Sequence, residues 1–128
     1  MAKQAIGGQF SASGGAKLPF SRAVRAGDLV FVSGQMATDA SGAIVEGGIE
    51  IQTRKVFENM KAILNEAGCS LADVVKCTCW ISDARDFGRF NATHAEFFPD
   101  EPPARSTTVC DLALDGKLEV EAIAYKPI

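Results

Sequence analysis

His94 is the only histidine in the chain, and the four cysteines, Cys69, Cys77, Cys79 and Cys110, form no C-x-x-C pair. Structural zinc sites usually show paired knuckle spacings, so a site built from Cys77, Cys79, Cys110 and His94 is not expected. The thiols read instead as small apolar filler. No run approaches the ~20 apolar residues that a membrane span needs. The 13 Lys and Arg residues never cluster in threes, and 16 Asp and Glu leave a net charge of −3 and a pI near 5.1. That balance lacks the basic footprint of a nucleic-acid binder. The opening MAKQAIGGQFSASGGAK is polar and Gly-rich, without the apolar stretch of a secretory leader. A reducing, cytoplasmic setting is therefore the expectation. Internal repeats, linkers and low-complexity tracts are also missing.

What is present is globular: 47% apolar and 23% charged residues over 128 positions, the size of one domain spanning 1–128. Gly7, Gly8, Gly14 and Gly15 break up any regular element at the start, leaving room for one further strand there. Phe20 to Gly27 reads as a strand ending at the turn dipeptide Gly27-Asp28, and Leu29 to Gln35 as another, its pattern broken at Ser33-Gly34. Thr38 to Gly48 is a loop. Val56, Phe57, Met60, Ile63, Leu64 and Ala67 form one helical stripe over Ile49 to Gly68, with Gly68 as the stop. Ser70 to Asp73 can cap a single turn. Val74 to Ser82 is a strand with Val75, Cys77, Cys79 and Ile81 on one face. Asp83 or Ser82 then caps a second helix running to about Phe98, with Phe87, Phe90, His94, Phe97 and Phe98 as its stripe.

The end of the chain, PPARSTTVCDLALDGKLEVEAIAYKP, reads as two strands joined as a hairpin through Leu114-Asp115-Gly116-Lys117. Leu118, Val120, Ala122 and Ala124 would meet the helices. Glu119, Glu121, Ile123 and Tyr125 would take the other face, which with Phe31 and Val109 is too apolar to leave wet. Burial against further copies of the chain is the expected solution. Arg105, Thr107 and Val109 share one face of their strand. If Arg105 and Glu119 both lie on the face away from the helices, they form either an ion pair that fixes the assembly or a site for a small carboxylate. In the second case the planar fork of arginine binds the anion and a carboxyl moves protons.

The blocks Pro19 to Val24, Gly27 to Gln35, Gln52 to Met60, Phe90 to Thr93, Pro103-Ala-Arg-Ser106 and Leu118-Glu-Val-Glu-Ala-Ile-Ala124 resemble, in order and over nearly the whole chain, the signatures of the reactive-intermediate deaminase (RidA/YjgF) family. The resemblance implies an α+β, chorismate-mutase-like fold: a mixed sheet with two helices on one face. It implies a homotrimer with a central barrel and clefts between subunits. It implies a hydrolase without cofactor or metal, which converts imines and enamines such as 2-aminoacrylate to 2-keto acids and ammonia. Carried over by motif, Arg105 binds the substrate carboxylate and Glu119 positions or activates water; the two are expected to meet from neighbouring strands in a crevice that exists only once three chains assemble. Ser33 and Gly34 line the pocket, and Asn91 lies near it. Two positions depart from the pattern: Phe20 stands where tyrosine is frequent, and Thr107 where cysteine is frequent two residues after the arginine. The resemblance also admits a non-catalytic trimer that binds small carboxylates or acts as a holdase, and an endoribonuclease. It implies small 2-imino or 2-keto acids as ligands; the acidic balance, the single histidine and the lack of a long apolar run leave no nucleic acid and no membrane expected as partner.

Overall fold

The computed structural model describes residues 2–11 and 17–128; Gly14 and Gly15 lie outside them. Three strands open the chain: β1 (Gln4–Ser11), β2 (Lys17–Ala26) and β3 (Leu29–Gln35). The helix α1 (Ile49–Glu66) follows, then β4 (Val74–Ile81), α2 (Phe87–Phe97), β5 (Ala104–Val109) and β6 (Leu118–Tyr125). The sheet order is β1-β2-β3-β6-β4-β5. Only β4 and β5 pair in parallel, and the α2 crossover between them supplies the connection a parallel pair requires.

Local signals set most boundaries. Gly27 takes φ +59° at the β2–β3 turn, a conformation that costs glycine nothing. At the end of α1, Cys69 N–H donates to Leu64 O (2.8 Å) and Gly68 N–H to Asn65 O (3.1 Å), with Gly68 at φ +76°. These are the paired bonds of a Schellman stop. Asp73 accepts from the Ser70 backbone N–H at 2.8 Å, and Asp83 from that of Arg85 at 2.9 Å, each capping a short 3₁₀ turn. At the start, Gly7 and Gly8 (φ 73° and 70°) make an irregular step in β1 rather than abolishing it.

Both helices cover one face of the sheet. Val56, Phe57, Met60, Ile63 and Leu64 of α1 and Phe90 of α2 share a core with Val30, Val32, Cys77, Cys79, Ile81, Leu118, Val120, Ala122 and Ala124. Phe57 packs between the helices against His94, Phe97 and Phe98. The opposite face is open and apolar. Leu29, Phe31, Val75 and Tyr125 are all exposed there, around Ile123, which pairs with Phe31 and Lys76. Among the described residues no helix is long and apolar enough to cross a membrane.

Four expectations change. The closing strands are not a hairpin: β4 lies between β5 and β6 and pairs with both. Val75 leaves the buried face because a register shift between Val74 and Lys76 turns Val74 inward instead. Phe87 is 43% exposed, standing at the first position of α2 instead of in the core. Val109 pairs with Ile81, so it has the parity of the helix face and is exposed only because β5 is the edge strand.

Candidate active site

Arg105 ends a rung that crosses all six strands: Ile6, Ala23, Val32, Ala122, Cys77 and Arg105 pair in succession. The first five are buried. Directly paired residues project to the same side of a sheet, so Arg105 points to the helix side and meets the start of α2. Its Nη2 donates to Asn91 Oδ1. Its Cζ lies 5.1 Å from the centroid of the Phe90 ring and 5.7 Å from that of Phe87. Among the described residues no carboxylate forms an ion pair with it. Thr107 follows on the same side, opposite Cys79, and its buried Oγ1 has no hydrogen-bond partner among the described residues.

The charge of Arg105 reaches its neighbours. Burial, assisted by that charge, lowers the His94 pKa to about 4 and keeps the ring neutral. Burial pushes the Cys77 and Cys79 thiols up to about 12 and about 11, so they remain protonated and serve as packing. No cysteine is disulfide-bonded.

Glu119 projects from the other side. It pairs directly with Trp80, out of phase with the buried residues of β6. Between the pairs Val32–Ala122 and Gln35–Val120, β3 uses Ser33 and Gly34 where β6 uses only Glu121, a bulge that brings β3 backbone under the Glu119 carboxyl. A Cβ placed on Gly34 would overlap Oε2 of Glu119 and stand 3.0 Å from its Cδ. The Ser33 hydroxyl donates to Ser21 O at 2.6 Å and ties the bulge to β2. Glu119 lines a recess of about 210 Å³ with Trp80, Cys110, Asp111, Leu112 and Ala113. Burial first, and the charge of Glu121 second, raise its pKa above the ordinary 4.5. Phe20, on β2, is 43% exposed.

The candidate residues thus form two groups: Arg105, Asn91 and Thr107 at the edge strand on the helix side, and Ser33, Gly34 and Glu119 on the open face. Arg105 and Glu119 are not on neighbouring strands, nor both on the open face, as expected. They lie two strand spacings apart, roughly 10 Å laterally, and leave the sheet on opposite sides. The first group can bind a small carboxylate through the unused N–H groups of a guanidinium. The second offers a carboxyl of raised pKa that can accept or return a proton. Sequence reasoning missed Trp80, which the strand register sets beside Glu119, and Leu112, which the loop after β5 brings to the same recess. It placed Phe87 and Phe90 in the helix core rather than against Arg105, although their position beside Asn91 on α2 was a usable local signal.

Comparison with known proteins adds to this geometry. The family model described as endoribonuclease L-PSP matches residues 11–126. The chain is 47% identical over 110 residues to a RutC family protein of Pyrococcus abyssi, covering 84% of this chain and 87% of that one. It is 37% identical over 110 residues to the 2-iminobutanoate/2-iminopropanoate deaminase of Bos taurus, covering 84% and 80%. The crystal structure of E. coli TdcF with bound serine superposes with a TM-score of 0.84 at 37% identity, covering 96% of this chain and 98% of that one.

Proposed function

Since the chain belongs to the endoribonuclease L-PSP family, which is the reactive-intermediate deaminase (RidA/YjgF) family, we propose that it hydrolyses 2-imino acids and their enamine tautomers, of the 2-aminoacrylate type, to 2-keto acids and ammonia. The observation that carries this reading is the Glu119 carboxyl, held over Gly34 at the rim of a recess with its pKa raised. Arg105, in the same fold, has no carboxylate partner among the described residues.

In the proposed reaction Arg105 binds the substrate carboxylate and so places the imine carbon beside Glu119. Glu119 takes a proton from water as the water oxygen bonds to that carbon, and the C=N π electrons move to nitrogen. The proton is then delivered to nitrogen to give the carbinolamine; Glu119 next takes the carbinol O–H proton and passes it to nitrogen, the C–N bond breaks as the oxygen lone pair forms C=O, and ammonia leaves. Enamines first take up a proton at the β carbon, which the same carboxyl can relay. Imines react with water unaided, so positioning and one proton relay are enough.

Arg105 and Glu119 face away from each other within one chain, so the reading requires contact between chains. A cyclic homotrimer that buries Leu29, Phe31, Val75 and Tyr125 around a central barrel, as in a chorismate-mutase-like assembly, would supply it. The four free thiols suit a reducing, cytoplasmic setting.

The test is to generate 2-aminoacrylate or 2-iminobutanoate in situ and follow its decay with wild type, Arg105→Ala and Glu119→Ala. Decay accelerated only by wild type is the expected result; equal decay with all three removes the enzymatic reading. Phe20 and Thr107 favour a second reading, since two polar groups frequent in the family are changed. This is a trimer that binds 2-keto acids without turnover, and it would show as binding of 2-oxobutanoate with no acceleration of imine decay.

A further inference from the structure

We infer that Phe87, together with Phe90 beneath it, is a positioning residue that holds the Arg105 guanidinium ready for an anion without neutralising it. The inference rests on the reading of Arg105 as the carboxylate-binding group.

An arginine at a sheet edge has many rotamers, and a residue that binds a small ligand must hold one of them. An acidic neighbour would do so, but it would also occupy the N–H groups and cancel the charge the ligand needs. Among the described residues Arg105 is held by neutral groups alone. Phe87, Phe90 and Asn91 lie within about one turn of α2 and reach a common neighbour. The two rings take the guanidinium at 5.7 and 5.1 Å, within the ~6 Å of a cation–π contact. Asn91 accepts from Nη2 and uses one of the five N–H groups. One two-pronged edge of the guanidinium therefore stays complete for a carboxylate.

The two rings differ in surroundings. Phe90 is fully buried at 0% exposure, whereas Phe87 is 43% exposed. A half-exposed phenylalanine contributes little to the core, and its contact with Arg105 gives it a purpose. The same half-exposure lets Phe87 be changed without unfolding the chain.

Three variants separate positioning from mere packing. Phe87→Tyr keeps a π face and should behave as wild type. Phe87→Leu keeps apolar bulk but loses the π face; KM for the imino acid and Kd for 2-oxobutanoate should rise roughly two- to fivefold, with kcat unchanged. Phe87→Glu should hold Arg105 at least as firmly, yet raise both constants about tenfold or more by competing for it. Melting temperatures should stay within a few degrees of wild type in all three. The inference is overturned if Phe87→Leu and Phe87→Glu match wild type in KM and Kd while Arg105→Ala abolishes binding. It is also overturned if Phe87→Glu lowers kcat and leaves KM unchanged. If Arg105→Ala itself binds 2-oxobutanoate normally, it is the underlying reading of Arg105 that fails.

Discussion

The Glu119 carboxyl occupies the space that a side chain on residue 34 would need: a Cβ on Gly34 would overlap Oε2 and lie within 3.2 Å of Cγ. The glycine is required by this close approach and not by a left-handed φ, since Gly34 is absent from the positive-φ positions. Gly34→Ala should therefore push the Glu119 carboxyl, the end of a flexible side chain, out of its place, with little change in stability but loss of most of the proposed imine hydrolysis. Ser33→Ala, one residue away, should instead cost about 1 kcal/mol in stability through the lost bond to Ser21 O. Melting temperature and kcat/KM measured on both variants check the contrast.

Glu119 also links stability to pH. Its folded pKa is raised, by burial first and by Glu121 second, so the fold favours the protonated form. The stabilisation that protonated Glu119 provides is complete below the unfolded carboxylate pKa and is lost as pH rises through the folded value. Glu119→Gln, neutral throughout, should melt higher than wild type at pH 7, and the difference should shrink toward pH 4. Thermal melts across that range check it, and a variant that is less stable at pH 7 would contradict the assignment of Glu119 as a desolvated carboxyl.

Both effects belong to β6, whose place in the sheet was the part least legible in the sequence. The alternation Leu118, Val120, Ala122, Ala124 against Glu119, Glu121, Ile123, Tyr125 gave its two faces correctly, because one face is buried and period 2 is then strict. The Asp115-Gly116 signal gave a turn, and proximity in sequence made it a hairpin. Pairing between β5 and β6 loses to an alternative that local signals do not reveal: β4 accepts β5 in parallel through α2 and β6 from the other side. Motif similarity singled out Arg105 and Glu119 as candidate site residues. It could not show that they face opposite sides, because that depends on the register of both strands against β4. Val75 was misplaced for a related reason, since a single shift in pairing sends one residue to the wrong face.

The lone histidine offers a clean probe of Arg105. His94 is 6% exposed among Phe57, Phe90 and Phe98, and its pKa is lowered to about 4 by burial and then by Arg105. Neutral His94 stabilises the fold fully above the unfolded value near 6.5, and that contribution falls away as pH drops toward 4, by about 3 kcal/mol at most. One imidazole signal should appear in the NMR spectrum with a midpoint far below 6.5, and Arg105→Gln should move it upward by removing the nearby positive charge. His94→Phe should flatten the loss of stability between pH 6.5 and 4. An unchanged midpoint in Arg105→Gln would place the guanidinium away from α2.

The opposed directions of Arg105 and Glu119 lead to the most decisive experiment. Arg105 closes a rung of helix-facing residues, and Glu119 stands on the apolar open face beside Trp80. No rotation of either side chain carries both into one small-molecule site through the intervening β4. If the reaction needs both, one chain must supply the arginine and another the glutamate. Arg105→Ala and Glu119→Ala should then each be inactive alone, yet regain activity when denatured together and refolded as a mixture. In random cyclic assemblies, about a quarter of the interfaces would combine an intact arginine with an intact glutamate, so recovery should approach about a quarter of the wild-type rate. A pair of groups from the same chain could not be restored by mixing, because every chain lacks one of them. Adding Phe31→Asp to both variants should abolish the recovery by placing a carboxylate on the apolar face that joins the chains, and sedimentation should show the complex lost at the same time. Failure of the mixture to recover, with hetero-assemblies shown to form, would rule out a site shared in this way.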